Sequence, residues 1–594
     1  MSKENIKANH TEADATEEEK QPVLDKKKSL KDVVLEGLEE KGKGKDCWLW
    51  LMFVLCITPN ILNGFHISSY VFLSKMPESY FCVVQTLVNR NWDLDQIREL
   101  SIPGGLNATQ SCDVYKWDYE KLADLTFDQA KYYLAGKEKP KIVSCLEMMS
   151  DVEYNDNEYS FHYEQEKDVS FVPEWNLVCE RIALRSNVQV ALSIGKFVGA
   201  STFGIISDKY GRKASFSLAA VLYILSGLLT TYAPTYILLM IGRIGLGFCG
   251  SGVFYSLFTL ITENAGQKYR SSLSIAYNFS YPLGFLFLAA AAYTWDKWRD
   301  LQLALTIPSF LLIIHLIWLV ESPRYLISKG NYKKAYKMLY GKKPSQDLLN
   351  ELQDEKEDVE IIEEKPDQKK PTFNEKIRGF FRELIKLYGP SNLRNKALIC
   401  HFTWCVTSLT YYMLSLNAEN FKANIYVWTG LTGTVDIFGY IVSIFVLKWS
   451  TRRMSQFSLF VLAGAFLLAV LGVSKDKEIV LLVLAMMSRF CITSVYAIMT
   501  LHTAEMFPTE IRNSVLGISS TAAHFGSFFA PYIVDLLGPW AWYIPTTICG
   551  TLIVLAGFLI LFQPETKHTG LTDHVNEDVK QDNTDADIEM NKKT

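Results

Sequence analysis

The sequence predicts an all-α membrane protein of about twelve transmembrane helices, built as two six-helix bundles with a large extracellular loop between helices one and two. Three observations carry this reading. Apolar residues make up 49% of the chain and are gathered into long blocks separated by short charged loops, and roughly 20 apolar residues are what a helix needs to cross a bilayer. Basic residues cluster in alternate loops, at Lys209, Arg212 and Lys213, at Lys268 and Arg270, and at Lys448, Arg452 and Arg453, which places those loops and the amino terminus in the cytosol. Loop charges also recur at a shift of 240 positions, from Arg212 to Arg452, which points to an internal repeat.

Residues 1–46 hold Glu17-Glu18-Glu19-Lys20 and Lys26-Lys27-Lys28 without a periodic apolar face, and read as a disordered cytosolic tail. The first span opens at Cys47-Trp48-Leu49 and runs to about Leu73, too far in and too long for a cleaved signal peptide. The loop 74–183 then falls outside. Its Cys82, Cys112, Cys145 and Cys179 are an even number in an oxidising compartment, so two disulfides are expected, with three connectivities open. The sequon Asn107-Ala108-Thr109 lies in the same loop and is the candidate glycan site, whereas Asn278-Phe279-Ser280 falls inside a span and Asn9-His10-Thr11 in the tail. Spans near 184–206, 214–234, 236–262, 271–294 and 301–321 complete the bundle 47–322. Residues 323–395, dense in Lys, Glu and Asp, read as a cytosolic linker of surface helices. The bundle 396–562 contains spans near 396–418, 424–448, 454–474, 478–503, 513–538 and 541–562, and a cytosolic tail, 563–594, closes the chain.

The repeat extends beyond one basic pair. Gly242-Arg243 answers to Ser488-Arg489; Glu263 precedes Arg270 by seven residues as Glu505 precedes Arg512; Glu321-Ser322-Pro323-Arg324 answers to Pro564-Glu565-Thr566-Lys567. Such halves are related by an axis along the membrane normal, and two like bundles can rock about a site between them. Asp208, Arg212, Glu263, Arg270, Glu505 and Arg512 are expected to bridge the halves when the inner gate is shut. Each pair is worth about 0–1 kcal/mol at a wet surface, and the plainer reading of the basic ones is topology alone.

The stretch Gly204-Ile205-Ile206-Ser207-Asp208-Lys209-Tyr210-Gly211-Arg212-Lys213 resembles the loop signature of the major facilitator superfamily. Glu174-Trp175-Asn176-Leu177-Val178-Cys179, Glu321-Ser322-Pro323-Arg324-Tyr325-Leu326-Ile327 and Ala504-Glu505-Met506-Phe507-Pro508-Thr509-Glu510-Ile511-Arg512-Asn513 resemble the organic cation/anion transporter family, as does the cysteine-bearing loop. Asn63-Gly64-Phe65, Val435-Asp436 with Tyr440, and Ser519 to Ala522 with Gly526-Ser527 look most like its carnitine and zwitterion branch. The resemblance implies a plasma-membrane secondary transporter of small organic cations or zwitterions, working by alternating access and powered by a gradient, a coupling ion or the membrane potential. His524 stands where relatives carry an acid or Arg, Lys196 where they tend to be apolar, and Gly250 near a helix-four position where a carnitine relative has a polar amide, so sodium coupling is not carried over.

Lys196 precedes Asp208 by twelve residues, which puts it about 18 Å above the cytosolic end at 1.5 Å per residue. A charge at that depth costs about 2.5–3.5 kcal/mol and faces a watery cavity or a partner. Asp436, 240 positions on, takes the repeat-equivalent place. The functional reading has Asp436 attract an ammonium while Lys196 or His524 receives a carboxylate, or His524 relay a proton; the structural reading is packing pairs. Tyr411, Tyr440 and Trp404, with Phe65, Tyr412 and Tyr255, are candidates for cation–π contact, and Asn63 completes the expected site. The chain has no H-E-x-x-H, G-x-x-x-x-G-K-[ST] or G-x-S-x-G, so metalloprotease, nucleotide-hydrolysing and α/β-hydrolase chemistry find no support; neither enzyme activity, cofactor, metal nor nucleic-acid partner is expected. The partners implied are a small organic substrate and the lipid bilayer. The alternatives are an organic anion transporter of the same fold, favoured by Lys196 and His524, and a non-transporting receptor or scaffold.

Overall fold

The computed structural model describes residues 30–42, 47–145, 147, 161–344, 387–389, 391–507 and 511–567. Ten helices among them are long and apolar enough to cross a membrane. In chain order, helix one is Cys47–Ser68, prolonged by Tyr70–Leu73; two, Ile182–Tyr210; three, Arg212–Thr231; and four, Tyr236–Asn264. Helix five runs as Gln267–Asn278 and Ser280–Thr294, and six as Trp298–Thr306 and Leu311–Trp318. Helices seven to ten are Ser391–Leu416, Ile425–Trp449, Arg452–Ala469 and Glu478–Met506. Arg512–Tyr532 and Ile544–Ile560 follow as eleven and twelve. Two bundles of helices meet at helices two and eleven and at helices five and eight.

Lipid gives apolar side chains no reason to leave it, so helices here associate by close backbone approach at small residues. Helix two meets helix four at Gly195, Gly199 and Gly247, where an added Cβ would overlap a facing backbone atom. The same crossing recurs between helices eight and ten at Gly439, where an added Cβ would lie 3.2 Å from the carbonyl oxygen of Phe490. The outer face of the bundle stays apolar and exposed, as at Ile237, Ile317, Phe287 and Ile479, which is what a lipid solvent permits.

Between helices one and two the chain forms a small domain. Strand β1 (Tyr80–Cys82) pairs antiparallel with β4 (Phe161–Tyr163), and β2 (Asp113–Tyr115) with β3 (Ile142–Ser144). Disulfides join Cys82 to Cys145 and Cys112 to Cys179, resolving the connectivity that spacing left open. Asn107 is exposed at the end of a short turn. The domain is tied to the bundle by Glu174, which accepts from Trp298 Nε1 at 2.7 Å and pairs with Arg299; this gives Glu174-Trp175 a docking role that its sequence did not disclose.

The amino-terminal tail departs from its reading as disordered. Leu30–Lys41 is a helix whose Val34 and Leu38 are buried against Leu326, Ala335 and Leu339 of the linker. Two apolar side chains one turn apart make a stripe too short to stand out among charges, and the partner that buries it lies near 330. The linker supplies helices Pro323–Ser328 and Tyr332–Tyr340; residues 345–386, the tail before 30 and the tail after 567 lie outside the described residues.

Candidate functional site

A cavity of about 160 Å³ lies between the bundles, against about 10–15 Å³ by this measure for one water. Its walls come from both halves. Asn63 and Ile67 of helix one, Lys196 of helix two, Ser251 and Tyr255 of helix four and Tyr281 of helix five face Tyr411 and Tyr412 of helix seven, Tyr440 of helix eight, Tyr496 of helix ten and His524 of helix eleven. Lys196 is 8% exposed. Its Nζ donates to Tyr412 Oη at 3.0 Å and lies 5.3 Å from that ring's centroid, so one hydrogen bond and one aromatic face hold it across the gap between halves. Asn63 Nδ2 donates to the Gly250 carbonyl at 3.2 Å; His524 Nε2 is buried without a protein partner.

Among the described lining residues Lys196 alone carries a formal charge. Asp436 is not part of the wall. It is fully buried behind it, where Arg489 Nε and Nη2 donate to its two oxygens at 2.8 and 2.7 Å, Thr493 Oγ1 donates at 2.6 Å and Tyr411 Oη at 2.8 Å. With Arg489 also fully buried, the pair is neutral and its hydrogen-bonding capacity is taken up. The expected ammonium-attracting role of Asp436 is therefore corrected to a structural one: a bidentate guanidinium on the next-but-one helix satisfies the carboxylate. Arg489 lies 3.5 Å from the centroid of Tyr411, so this pair supports the cavity wall from behind.

The equivalence of Lys196 and Asp436 is corrected too. Gly195 faces the Ile244 carbonyl as Gly439 faces that of Phe490, which puts Asp436 opposite Leu192. Gly195 precedes Arg212 by 17 residues and Gly439 precedes Arg452 by 13; the four extra residues are about one helical turn, enough to shift a comparison made from the loops. Two other expected residues stand outside the wall. Phe65 packs edge-on to Phe287, and Trp404 is buried, donating to Thr503 Oγ1 at 3.1 Å. Tyr281 and Tyr496 line the cavity but carried no sequence signal beyond being aromatic residues within spans.

The ion pairs of Arg212 and Arg452 do not bridge the halves. Arg212 binds Glu263 at 2.7 Å and Asp208 at 3.2 Å, while its backbone N–H donates to Glu321 at 2.8 Å. Arg452 repeats this with Glu505 at 3.2 Å and Glu565 at 2.8 Å. Each cluster thus closes within its own half, Gly204 and Gly211 lying on either side of Asp208 and Lys213 donating its backbone N–H to Glu321. Arg512 is partly buried at the start of helix eleven, and the Arg270 side chain lies outside the described residues. The halves are instead joined at the opposite end, beneath the disulfide domain. Arg185 binds Glu419 at 2.8 Å and Asp535 at 3.4 Å, and Tyr70 and Ser186 donate to Asp535 at 2.6 and 2.7 Å. Arg185 and Asp535 are both buried, so removing either partner would strand a charge out of water. The sequence reading missed it because Ser186 and Asp535 are 349 positions apart.

A family model described as "Sugar (and other) transporter" matches residues 144–577. An organic cation transporter protein of Drosophila melanogaster is 32% identical over 519 residues, covering 87% of this chain and 89% of the relative. Organic anion transporter 3 of Oryctolagus cuniculus is 32% identical over 397 residues, 67% of this chain and 72% of the relative, and Solute carrier family 22 member 13 of Homo sapiens is 27% identical over 548 residues, 91% and 92%. The fold is similar to that of the xylose transporter XylE from E. coli in a partially occluded inward open conformation, with a TM-score of 0.54, 15% identity, and coverage of 89% of this chain and all of that one. The chain belongs to the organic cation and organic anion transporter family of the major facilitator superfamily, as a multi-pass membrane transporter and not an enzyme.

Proposed function

We propose that this member of the family carries small organic solutes through their carboxylate: organic anions first, and second zwitterions whose ammonium rests among the tyrosines. The observation that supports this most is the pairing of Asp436 with Arg489, which leaves Lys196 as the charge facing the cavity. An uncompensated ammonium in a low-dielectric site raises the local concentration of anions and opposes bare cations. The zwitterion reading has its own support in Tyr255, Tyr281, Tyr411, Tyr412, Tyr440 and Tyr496, since quaternary and primary ammonium groups are held by such faces. Relatives named for cations and for anions both stand at 32% identity, so the names of relatives do not decide between the two.

In this reading the chain works by alternating access in the plasma membrane. The amino terminus, the linker and the carboxyl tail are cytosolic, and the disulfide domain with Asn107 is extracellular and glycosylated. The Arg185, Glu419 and Asp535 cluster is the outer gate, shut here, and its opening paired with closure at the Arg212 and Arg452 end carries the cavity from one side to the other. Uptake into vesicles of p-aminohippurate, carnitine and choline, an anion, a zwitterion and a cation, tests the charge order. The expected ranking is p-aminohippurate and carnitine above choline; uptake of choline alone would overturn it.

A further inference from the structure

Arg243 and Arg489 are repeat-related and both fully buried. Their seats are alike, one carbonyl and one serine hydroxyl each. Arg243 Nη1 donates to the carbonyl of His66 and to Ser69 Oγ, each at 3.2 Å, on helix one. Arg489 Nη1 donates to the carbonyl of Tyr411 and to Ser415 Oγ, each at 2.6 Å, on helix seven. The other edge of the guanidinium, Nε with Nη2, is what grips Asp436 in the second half. In the first half that edge has no protein partner at either nitrogen, because the position corresponding to Asp436 is Leu192. Burying one member of an ion pair without the other costs several kcal/mol, and every acidic residue of helices one to six, Asp208, Glu263 and Asp300, lies near a helix end. Asp535 of the second half is engaged by Arg185, Tyr70 and Ser186.

We propose that the counter-charge is borrowed: a small inorganic anion, chloride under physiological conditions, is held between Nε and Nη2 of Arg243, in the role that Asp436 plays for Arg489. Parallel N–H donors on a delocalised cation suit a compact monovalent anion as they suit a carboxylate. The site is distinct from the central cavity, whose walls include neither Arg243 nor His66, and it does not depend on which solute the transporter carries.

The test is thermal unfolding of the full chain, purified in detergent, in sodium chloride and in sodium gluconate at equal ionic strength. A ligand that binds only the folded state raises the midpoint with its concentration. Chloride is expected to raise the midpoint by several degrees over gluconate in the wild type and in Lys196→Gln, and to make no difference in Leu192→Asp, which supplies an internal carboxylate. Equal midpoints in the wild type would mean that water satisfies the fork, and a chloride effect lost in Lys196→Gln would move the anion to the cavity; either overturns the proposal. Bromide-soaked crystals read by anomalous scattering give an answer that needs no variant. A peak within hydrogen-bonding distance of Arg243 Nε and Nη2 supports the site, and a peak elsewhere or none overturns it.

Discussion

The two halves of this protein share a scaffold and treat buried charge in opposite ways. In the second half, Arg489 and Asp436 neutralise each other behind Tyr411, so the bundle presents hydroxyls and aromatic faces to the cavity and no net charge. In the first half, Lys196 reaches the cavity and Arg243 sits deep in the bundle without a carboxylate on its own side. An acid in a membrane span therefore marks a substrate site only if no arginine of a neighbouring helix has claimed it. In a repeat protein the first place to look for that arginine is the position where the other half also has one.

Breaking the pair in the second half should give the largest effect. Asp436→Leu strands Arg489 and is expected to cost about 3–5 kcal/mol, seen as a lowered unfolding temperature and lost surface abundance, whereas Arg243→Met removes a guanidinium with no protein carboxylate and is expected to cost much less in gluconate. Equal losses would break the contrast between the halves. The next effect concerns the contact that holds the halves together. Asp535→Asn removes the charge that Arg185 meets and weakens charge-assisted hydrogen bonds worth about 1.5–3 kcal/mol each, so a cysteine placed at Ile67 in the cavity wall should be labelled from the disulfide-domain side ten- to a hundredfold faster. Unchanged labelling would remove Asp535 from the gate. The smallest effect sharpens the likeness between the halves. Arg212→Gln breaks the pairs with Glu263 and the exposed Asp208, and Arg452→Gln the pair with Glu505; both are expected to shift stability by about 1 kcal/mol, equally within error, by chemical denaturation.

Much of the fold could be read from sequence because the bilayer imposes a crude rule, length and apolarity, that ten of the helices obey separately. The repeat was visible at loop charges such as Arg212 and Arg452, whose partners Glu321 and Glu565 sit at matching helix ends. Lys196, Tyr411, Tyr440, Asn63 and His524 stood out as polar groups and aromatics in apolar spans, and all five line one cavity. What escaped was pairing in space. Arg489 was matched to Arg243 along the chain, but its bond to Asp436 depends on how helices eight and ten cross at Gly439. Leu30–Lys41 and the Arg185 cluster escaped for the same reason, since each is completed by residues hundreds of positions away.

The central claim is that Lys196, and not Asp436, sets the charge preference of the cavity. Uptake of p-aminohippurate and of choline by Lys196→Glu, normalised to the amount of protein at the membrane, tests it most directly. The account predicts that p-aminohippurate uptake is lost, by tenfold or more for an interaction of about 1.5–3 kcal/mol, and that choline uptake is kept or gained. Undiminished p-aminohippurate uptake by a normally abundant Lys196→Glu protein would contradict it.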